Sequence, residues 1–162
     1  MPVVEDIERI VKLFPQQYYK LLLLIGPSGS GKTFVLKKCM QVLMCKYINL
    51  NLELSRKLKE VPVVERCYYV QDYIDEIVKN NDSDIIIFDD IEILFSKHLK
   101  IDPLSTLKNI SKYKKFIAAW PGYIKGGYLV YAEEGHEDYI RYNLNELECS
   151  YLNLGRGIQD EI

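Results

Sequence analysis

The sequence has almost no excess charge of either sign. Its 21 lysine and arginine residues face 23 aspartate and glutamate residues, which leaves a formal net charge of −2. Proteins that bind nucleic acid or anionic membranes through their overall charge carry a clear positive excess. The composition therefore gives no support for either partner, and we expect the protein to meet nucleic acid only through partner proteins and not to bind membranes.

The sequence also lacks the cysteine and apolar patterns of zinc-binding, disulfide-linked or membrane proteins. Its four cysteines form no CxxC pair, and neither histidine lies near them at a metal-ligand spacing. The first residues do not read as a secretory signal, and the apolar run Leu21–Ile25 is too short to cross a bilayer. We therefore expect free thiols and a cytoplasmic protein.

What the chain does contain is a regular alternation of apolar and amphipathic segments. The spacing predicts strands at 21–25, 47–54, 84–90, 115–120 and 128–132, and helices at 3–14, from about 31 to 43, and at 64–79, 103–111 and 136–142. Such alternation favours a mainly parallel sheet covered by helices on both faces. We expect a single domain over 1–162, with an N-terminal helix in 1–18, a core in 19–150 and a loose tail in 151–162.

One loop between a predicted strand and a predicted helix matches the pattern G-x-x-x-x-G-K-[ST]. In this pattern, glycines let backbone N–H groups surround phosphate oxygens, the lysine reaches the β- and γ-phosphates, and the last hydroxyl binds Mg²⁺. The sequence therefore predicts a P-loop that binds ATP and Mg²⁺, with Thr33 on the metal. The expected nucleotide contacts are Gly26, Pro27, Ser28, Gly29, Ser30, Gly31, Lys32, Thr33 and Phe34.

A second apolar segment, Ile85–Phe88, ends in two carboxylates. A carboxylate at such a strand end holds Mg²⁺, usually through its water shell, and we assign this role to Asp89. In ATPases with an added central strand, the next residue is normally a glutamate that orients the attacking water. Here it is Asp90, one methylene shorter, and Glu92 is a nearby substitute, so both are catalytic candidates beside Lys32. The predicted fold is an α/β P-loop NTPase of the AAA+ or ASCE kind, a three-layer sandwich with a five-stranded sheet.

Other groups expected in an ATPase are scarce. The fourth predicted strand ends in Ala118–Pro121 and offers no polar sensor, and we expect Trp120 to pack in the core. Of the five arginines, Arg141 and Arg156 are candidates for an arginine supplied to the site of a neighbouring subunit. The sequence therefore predicts self-association that responds to ATP.

Several stretches, spread over nearly the whole chain, carry a resemblance to one family. They are Gly26–Thr33, Asn51–Arg56, Asp89–Phe95, Ala119–Gly122 and Gly127–Ala132, the last followed by Gly135 and His136. Together they resemble BrxF, the small P-loop proteins of type III BREX bacteriophage-exclusion systems. The resemblance implies a role in bacterial antiviral defence beside other BREX proteins, including a large ATPase and a PglZ-type protein. In contrast to full AAA+ ATPases, no C-terminal helical lid is expected.

Three functions fit these features. The first is a nucleotide-dependent switch or assembly factor that hydrolyses ATP weakly. The second is a nucleotide-binding scaffold with little or no hydrolysis, which Asp90 and the missing sensor favour. The third is a small-molecule kinase, against which the absence of any Arg-x-x-Arg pair argues. A GTPase is disfavoured because no N-K-x-D segment follows the acidic strand.

Overall fold

The computed structural model describes residues 1–132 and 135–155, which contain eight strands and five α-helices. In chain order these are α1 (Pro2–Lys12), β1 (Leu21–Gly26), α2 (Lys32–Leu43), β2 (Lys46–Asn49), α3 (Leu50–Leu58), α4 (Val70–Lys79), β3 (Ile85–Asp89), α5 (Pro103–Ile110), β4 (Lys115–Pro121), β5 (Tyr123–Lys125), β6 (Tyr128–Tyr131), β7 (Ile140–Asn143) and β8 (Ser150–Asn153). No helix in these two ranges has both the length and the apolar character needed to cross a membrane.

Five parallel strands form the central sheet, in the order β2-β3-β4-β1-β8. Alternate side chains of β1 enter two separate cores because successive residues of a strand point to opposite faces. Leu22 and Leu24 pack with α1 and α2, whereas Leu21, Leu23 and Ile25 pack with α3, α4 and α5. The predicted three-layer α/β architecture is therefore confirmed.

A smaller antiparallel sheet, β5-β6-β7, follows directly after β4. Gly126 and Gly127 form the turn between β5 and β6 with φ values of 57° and 81°, a region that favours glycine. The inward face of this sheet packs against the same core as α3–α5. At the junction, Gly122 lies so close to β6 that a Cβ there would stand 1.9 Å from the carbonyl oxygen of Val130.

Two of the predicted elements end or break earlier than expected. The strand predicted at 47–54 stops at Asn49, whose side chain accepts a hydrogen bond from the backbone N–H of Leu52 (3.0 Å) and caps α3. Within α3, Leu50, Leu54 and Leu58 are buried at a helical spacing. The helix predicted at 64–79 is also interrupted, since 63–68 form a 3-10 turn and α4 begins at Val70.

The C-terminal third departs furthest from the predictions. The segment 128–132 was expected in the main sheet but forms the centre of the antiparallel sheet, and no helix forms at 136–142, where 140–142 belong to strand β7. The fifth strand of the main sheet is β8, which pairs with β1 from Leu22↔Ser150 to Ile25↔Asn153. The expected boundary between core and tail at 150 therefore falls inside a strand.

Candidate nucleotide-binding site

The predicted phosphate loop connects the end of β1 with the start of α2. Gly29 and Gly31 adopt left-handed φ values of 81° and 93°, which side chains rarely tolerate. Gly26 is constrained by space and not by its backbone conformation, because a Cβ there would lie 2.3 Å from the hydroxyl oxygen of Ser30. The glycines thus allow a tight turn that ends on the N-terminus of α2, where backbone N–H groups are free for an anion.

The ammonium group of Lys32 lies against this loop. Its Nζ donates hydrogen bonds to the carbonyl oxygens of Gly26 and Pro27, the latter at 3.0 Å. Burial lowers the pKa of Lys32, while the carboxylates of Glu92, Asp89 and Asp90 oppose this effect. A cation is therefore held at the mouth of the loop, next to the space that phosphates would enter.

The buried carboxylate of Asp89 accepts three hydrogen bonds. Its Oδ2 accepts from the Thr33 hydroxyl (2.7 Å) and the Tyr47 hydroxyl (2.6 Å), and its Oδ1 accepts from the backbone N–H of Asp90 (2.9 Å). Burial, followed by the hydrogen bond to Asp89, raises the pKa of Tyr47, so the phenol remains a proton donor at neutral pH. Asp89 is thereby fixed in one orientation towards the loop.

Thr33 and Asp89 are the residues of this site that would hold Mg²⁺. Their oxygens lie 2.7 Å apart, the length of an ordinary O–H···O hydrogen bond, so both could reach one ion, directly or through its water shell. Within 1–132 and 135–155, no group of three or more His, Cys, Asp or Glu side chains is placed to hold a metal.

The two further carboxylates are each held by an asparagine. Asn49 Nδ2 donates to Asp90 Oδ2 at 2.7 Å, and Asn51 Nδ2 donates to Glu92 Oε2 at 3.0 Å. Burial and the neighbouring Asp89 raise the pKa of Asp90, an effect that Asn49 and Lys32 partly offset. Asp90 also has a left-handed φ of 50°, which turns the chain sharply after β3.

The side-chain donors Tyr47, Asn49 and Asn51 were not among the predicted site residues. Tyr47 and Asn49 lie on the same face of β2 because they are two positions apart, and parallel pairing sets Asn49 opposite Asp89. The signal in the sequence was the polar side chain at every second position from 47 to 51. The alternation by itself does not connect these side chains to the carboxylates, because that connection depends on the strand register.

A cleft of about 330 Å³ brings the loop and the acidic residues together. Its lining is Ser28, Gly29, Gly31, Lys32, Thr33, Asp89, Asp90, Glu92 and Ala119. Lys32 is the one cationic side chain among these described lining residues. Of the remaining predicted contacts, Gly26, Pro27 and Ser30 form the loop outside the lining, and Phe34 is 58% exposed on α2.

The end of β4 contributes no polar group to the cleft. Only Ala119 reaches it, whereas Trp120 is fully buried and donates from Nε1 to the carbonyl oxygen of Val130 at 3.3 Å. Trp120 also packs edge-on against Phe95 and Tyr142. The prediction that Trp120 is a core residue is confirmed.

Of the two predicted arginines, the structure describes Arg141, and Arg141 does not line this cleft. Arg141 lies exposed on β7, with its guanidinium carbon 4.3 Å from the centre of the Tyr128 ring. Arg156 falls outside the described residues. A role for either in the site of a neighbouring subunit stays a prediction.

Comparison with known proteins identifies the family. The model of the ATPase family associated with various cellular activities (AAA) matches residues 22–115, which is more than half of the chain. The chain belongs to the AAA family. The matched range begins in β1 and ends at the start of β4, so it includes the loop and both Asp89 and Asp90. Nucleotide binding by a P-loop is therefore the general function of this AAA protein.

The AAA fold is also seen in a solved structure. That of C. elegans PCH-2 matches with a TM-score of 0.52 and 18% sequence identity, over 96% of this chain and 42% of that one. At this identity the likeness shows the fold alone, and the chain spans less than half the length of that protein. A search of curated protein sequences gave no match.

Proposed function

We propose that this AAA protein binds ATP with Mg²⁺ and that the nucleotide controls its assembly, either with itself or with partner proteins. The observation that carries the proposal is the Thr33–Asp89 pair at 2.7 Å, in one cleft with the Lys32 ammonium. Thr33 and Asp89 would hold the metal, which when bound neutralises charge on the β- and γ-phosphates. Lys32 would exchange its loop carbonyls for phosphate oxygens.

The arrangement of the other carboxylates favours slow hydrolysis. A group that orients the attacking water must be ionised and free to accept its proton. Asp90 has one oxygen occupied by Asn49 and a side chain one methylene shorter than glutamate. Glu92 is likewise engaged by Asn51. We infer that Asp90 is the first candidate for water orientation and Glu92 the second.

The shortage of positive charge in the cleft supports self-association. Charge develops on the γ-phosphoryl oxygens during transfer, and an arginine from a neighbouring subunit increases the rate by about 10³–10⁵. Lys32 is the one cation among the described lining residues. A second copy that inserts Arg141 or Arg156 would supply the missing charge, and nucleotide binding at such an interface would favour the assembled state.

The resemblance to BrxF suggests where this switch operates. We propose a cytoplasmic role in a bacterial BREX antiphage system, beside the large ATPase and the PglZ-type protein of that system. The support is the order and spacing of five sequence stretches, of which Asp89–Phe95 and Ala119–Gly122 each contribute at least one residue to the lining of the cleft.

A nucleotide-binding scaffold without significant hydrolysis is the second candidate. The hydrogen bond from Asn49 to Asp90 favours it, because a carboxylate held in this way is less available to water. A small-molecule kinase is less favoured, since the described lining of the cleft offers no arginine to hold a second phosphorylated substrate.

Sedimentation velocity over a concentration series, with and without ATP and Mg²⁺, tests the switch. We expect larger species with nucleotide, and the Asp89→Ala variant should lose this response. A protein that stays monomeric under all of these conditions and still hydrolyses ATP without partner proteins would contradict the proposal. Radiolabelled ATP, with and without partner proteins, separates the alternatives. Release of phosphate that the Asp90→Ala substitution reduces would support the switch. Binding without release would support the scaffold, and transfer of phosphate to a metabolite would support the kinase.

A further inference from the structure

The outward face of the antiparallel sheet carries aromatic and cationic side chains. Ile124, Leu129 and Ile140 point into the core, so their neighbours along each strand point outwards. The register places Tyr123, Val130 and Arg141 in one row, and Lys125, Tyr128 and Asn143 in the next. With Tyr139, which precedes β7, we call the set Tyr123, Lys125, Tyr128, Tyr139 and Arg141 the aromatic-basic face.

This face is concave and separate from the phosphate loop. It bounds a depression of about 690 Å³, and none of the described residues lining it also lines the cleft at Asp89. Neighbouring strands are about 4.8 Å apart and alternate residues of one strand about 7 Å. Three strands and two rows therefore give an area on which about two nucleotides fit.

The chemistry of the face suits unpaired bases joined by phosphates. Tyrosine rings offer stacking surfaces to any base, and this stacking requires bases that are not enclosed in a duplex. The planar Arg141 guanidinium lies over one face of the Tyr128 ring, with its carbon 4.3 Å from the ring centre, and presents a fork of donors that matches phosphate oxygens. A base would therefore use the other face of that ring. Lys125, exposed at the hairpin end of the same face, adds a second cation.

We propose that the aromatic-basic face binds a short segment of single-stranded nucleic acid, with bases stacked on Tyr123 and Tyr128 and phosphates held by Arg141 and Lys125. A protein segment is the less favoured occupant, because Val130 is the only aliphatic side chain among the described lining residues. The contact is local, so it is compatible with a net charge of −2. It would give the protein a nucleic-acid contact of its own and would leave Arg156 as the candidate arginine for the site of a neighbouring subunit.

Fluorescence anisotropy with a labelled oligothymidylate of about 15 nucleotides, near the upper end of known single-strand site sizes, provides the test. Saturating ATP and Mg²⁺ keep the phosphate loop occupied. The Lys32→Ala variant is a second control for binding of the oligonucleotide at that loop. We expect Tyr128→Ala to weaken binding by about fivefold or more, and Tyr128→Phe to retain it. Arg141→Gln should reduce the slope of log affinity against log salt by about 0.7.

Matched controls lie elsewhere on the surface. Tyr113→Ala removes a 92% exposed tyrosine, and Arg56→Gln removes an exposed arginine that pairs with Glu53 on α3. Both variants should bind as the wild type does. If Tyr128→Ala does not fold, as judged by circular dichroism, Arg141→Gln alone decides the question.

Four results would overturn the proposal. They are no binding at low salt, an equal loss in the two control variants, loss of binding in Lys32→Ala, and equal binding of a duplex. Competition by AMP at the same nucleotide concentration would overturn the choice of a strand in favour of a free nucleotide. None of these outcomes bears on ATP binding at the loop, because the two sites share no described residue.

Discussion

The Tyr47→Phe substitution isolates the group that holds Asp89 in place. It removes one hydroxyl, which donates to Asp89 Oδ2 at 2.6 Å, and keeps the ring. If Thr33 holds Mg²⁺ through its hydroxyl oxygen, that hydroxyl would have to reorient and would fix Asp89 less firmly. The Tyr47 hydroxyl and the backbone N–H of Asp90 are then the remaining described donors that orient the carboxylate.

The expected effect is a weaker affinity for Mg²⁺ in the nucleotide complex. Loss of a hydrogen-bond partner of a metal ligand typically costs 10–100-fold in metal affinity. Tyr47 is only half-buried, so solvent replaces part of the lost bond and the lower end of this range applies. We expect about a tenfold rise in the Mg²⁺ concentration for half-maximal ATP binding, which corresponds to about 1.4 kcal/mol.

Titration of MgCl₂ against a fixed concentration of a fluorescent ATP analogue measures this midpoint. Tyr68→Phe is the matched control, because that tyrosine is 76% exposed in the turn before α4. Binding of the analogue without Mg²⁺ should be nearly unchanged in both variants. A Tyr47→Phe protein that folds normally and keeps the wild-type midpoint would refute the reasoning that Asp89 holds the metal in this orientation.

Three further predictions concern the loop, the sheet junction and the buried thiols. Lys32→Ala should preserve the fold and weaken ATP binding by about 2 kcal/mol, or about thirtyfold, as measured by calorimetry, because it removes a charged donor to phosphate. Gly122→Ala should lower the free energy of unfolding in urea by about 2 kcal/mol or more, since its Cβ would stand 1.9 Å from the Val130 carbonyl oxygen. Burial raises the pKa of Cys39 to about 11 and that of Cys45 to about 12. The native state then keeps protons that the unfolded chain releases above about pH 8.5, so the free energy of unfolding under reducing conditions should fall as the pH rises from 8.5 to 11.

Each of these predictions has a result that contradicts it. Equal ATP affinity in a folded Lys32→Ala protein would remove the assignment of the whole loop. A Gly122→Ala protein as stable as the wild type would mean that the backbone at Gly122 and strand β6 can move apart without a loss of stability. A urea midpoint that stays constant between pH 8.5 and 11 would show that the Cys39 and Cys45 thiols ionise as readily in the native state as in the unfolded chain.

The phosphate loop and its sheet could be anticipated because their residues satisfy local requirements. Gly29 and Gly31 meet a backbone constraint that few other residues tolerate, and the apolar runs of β1 and β3 are typical of strands buried on both faces. The carboxyl ends of parallel strands meet at one edge of a sheet. The shared direction of β1 and β3 therefore places Asp89 and the loop at the same edge of the sheet.

The remaining elements depend on contacts that are distant in sequence. The alternation of 47–54 fits a strand as well as it fits β2 followed by α3, and the decisive spacing, Leu50, Leu54 and Leu58, becomes clear only with the cap at Asn49. Strand β8 is half-exposed and has little apolar character, so its place in the sheet follows from pairing with β1. The alternation in β7 is similarly short, and its partner β6 decides its structure.

The pairing of donors with carboxylates limits what a single copy of the chain can do. One short segment, from Tyr47 to Asn51, supplies a hydrogen-bond donor to Asp89, Asp90 and Glu92 in turn. These neutral donors orient the acids but add no positive charge, so the described lining of the cleft carries three carboxylates against one ammonium group. Binding of a triphosphate adds further negative charge, which Mg²⁺ and Lys32 must balance. We therefore expect tight triphosphate binding to require metal, and a partner's cation would be the addition that most increases any hydrolysis.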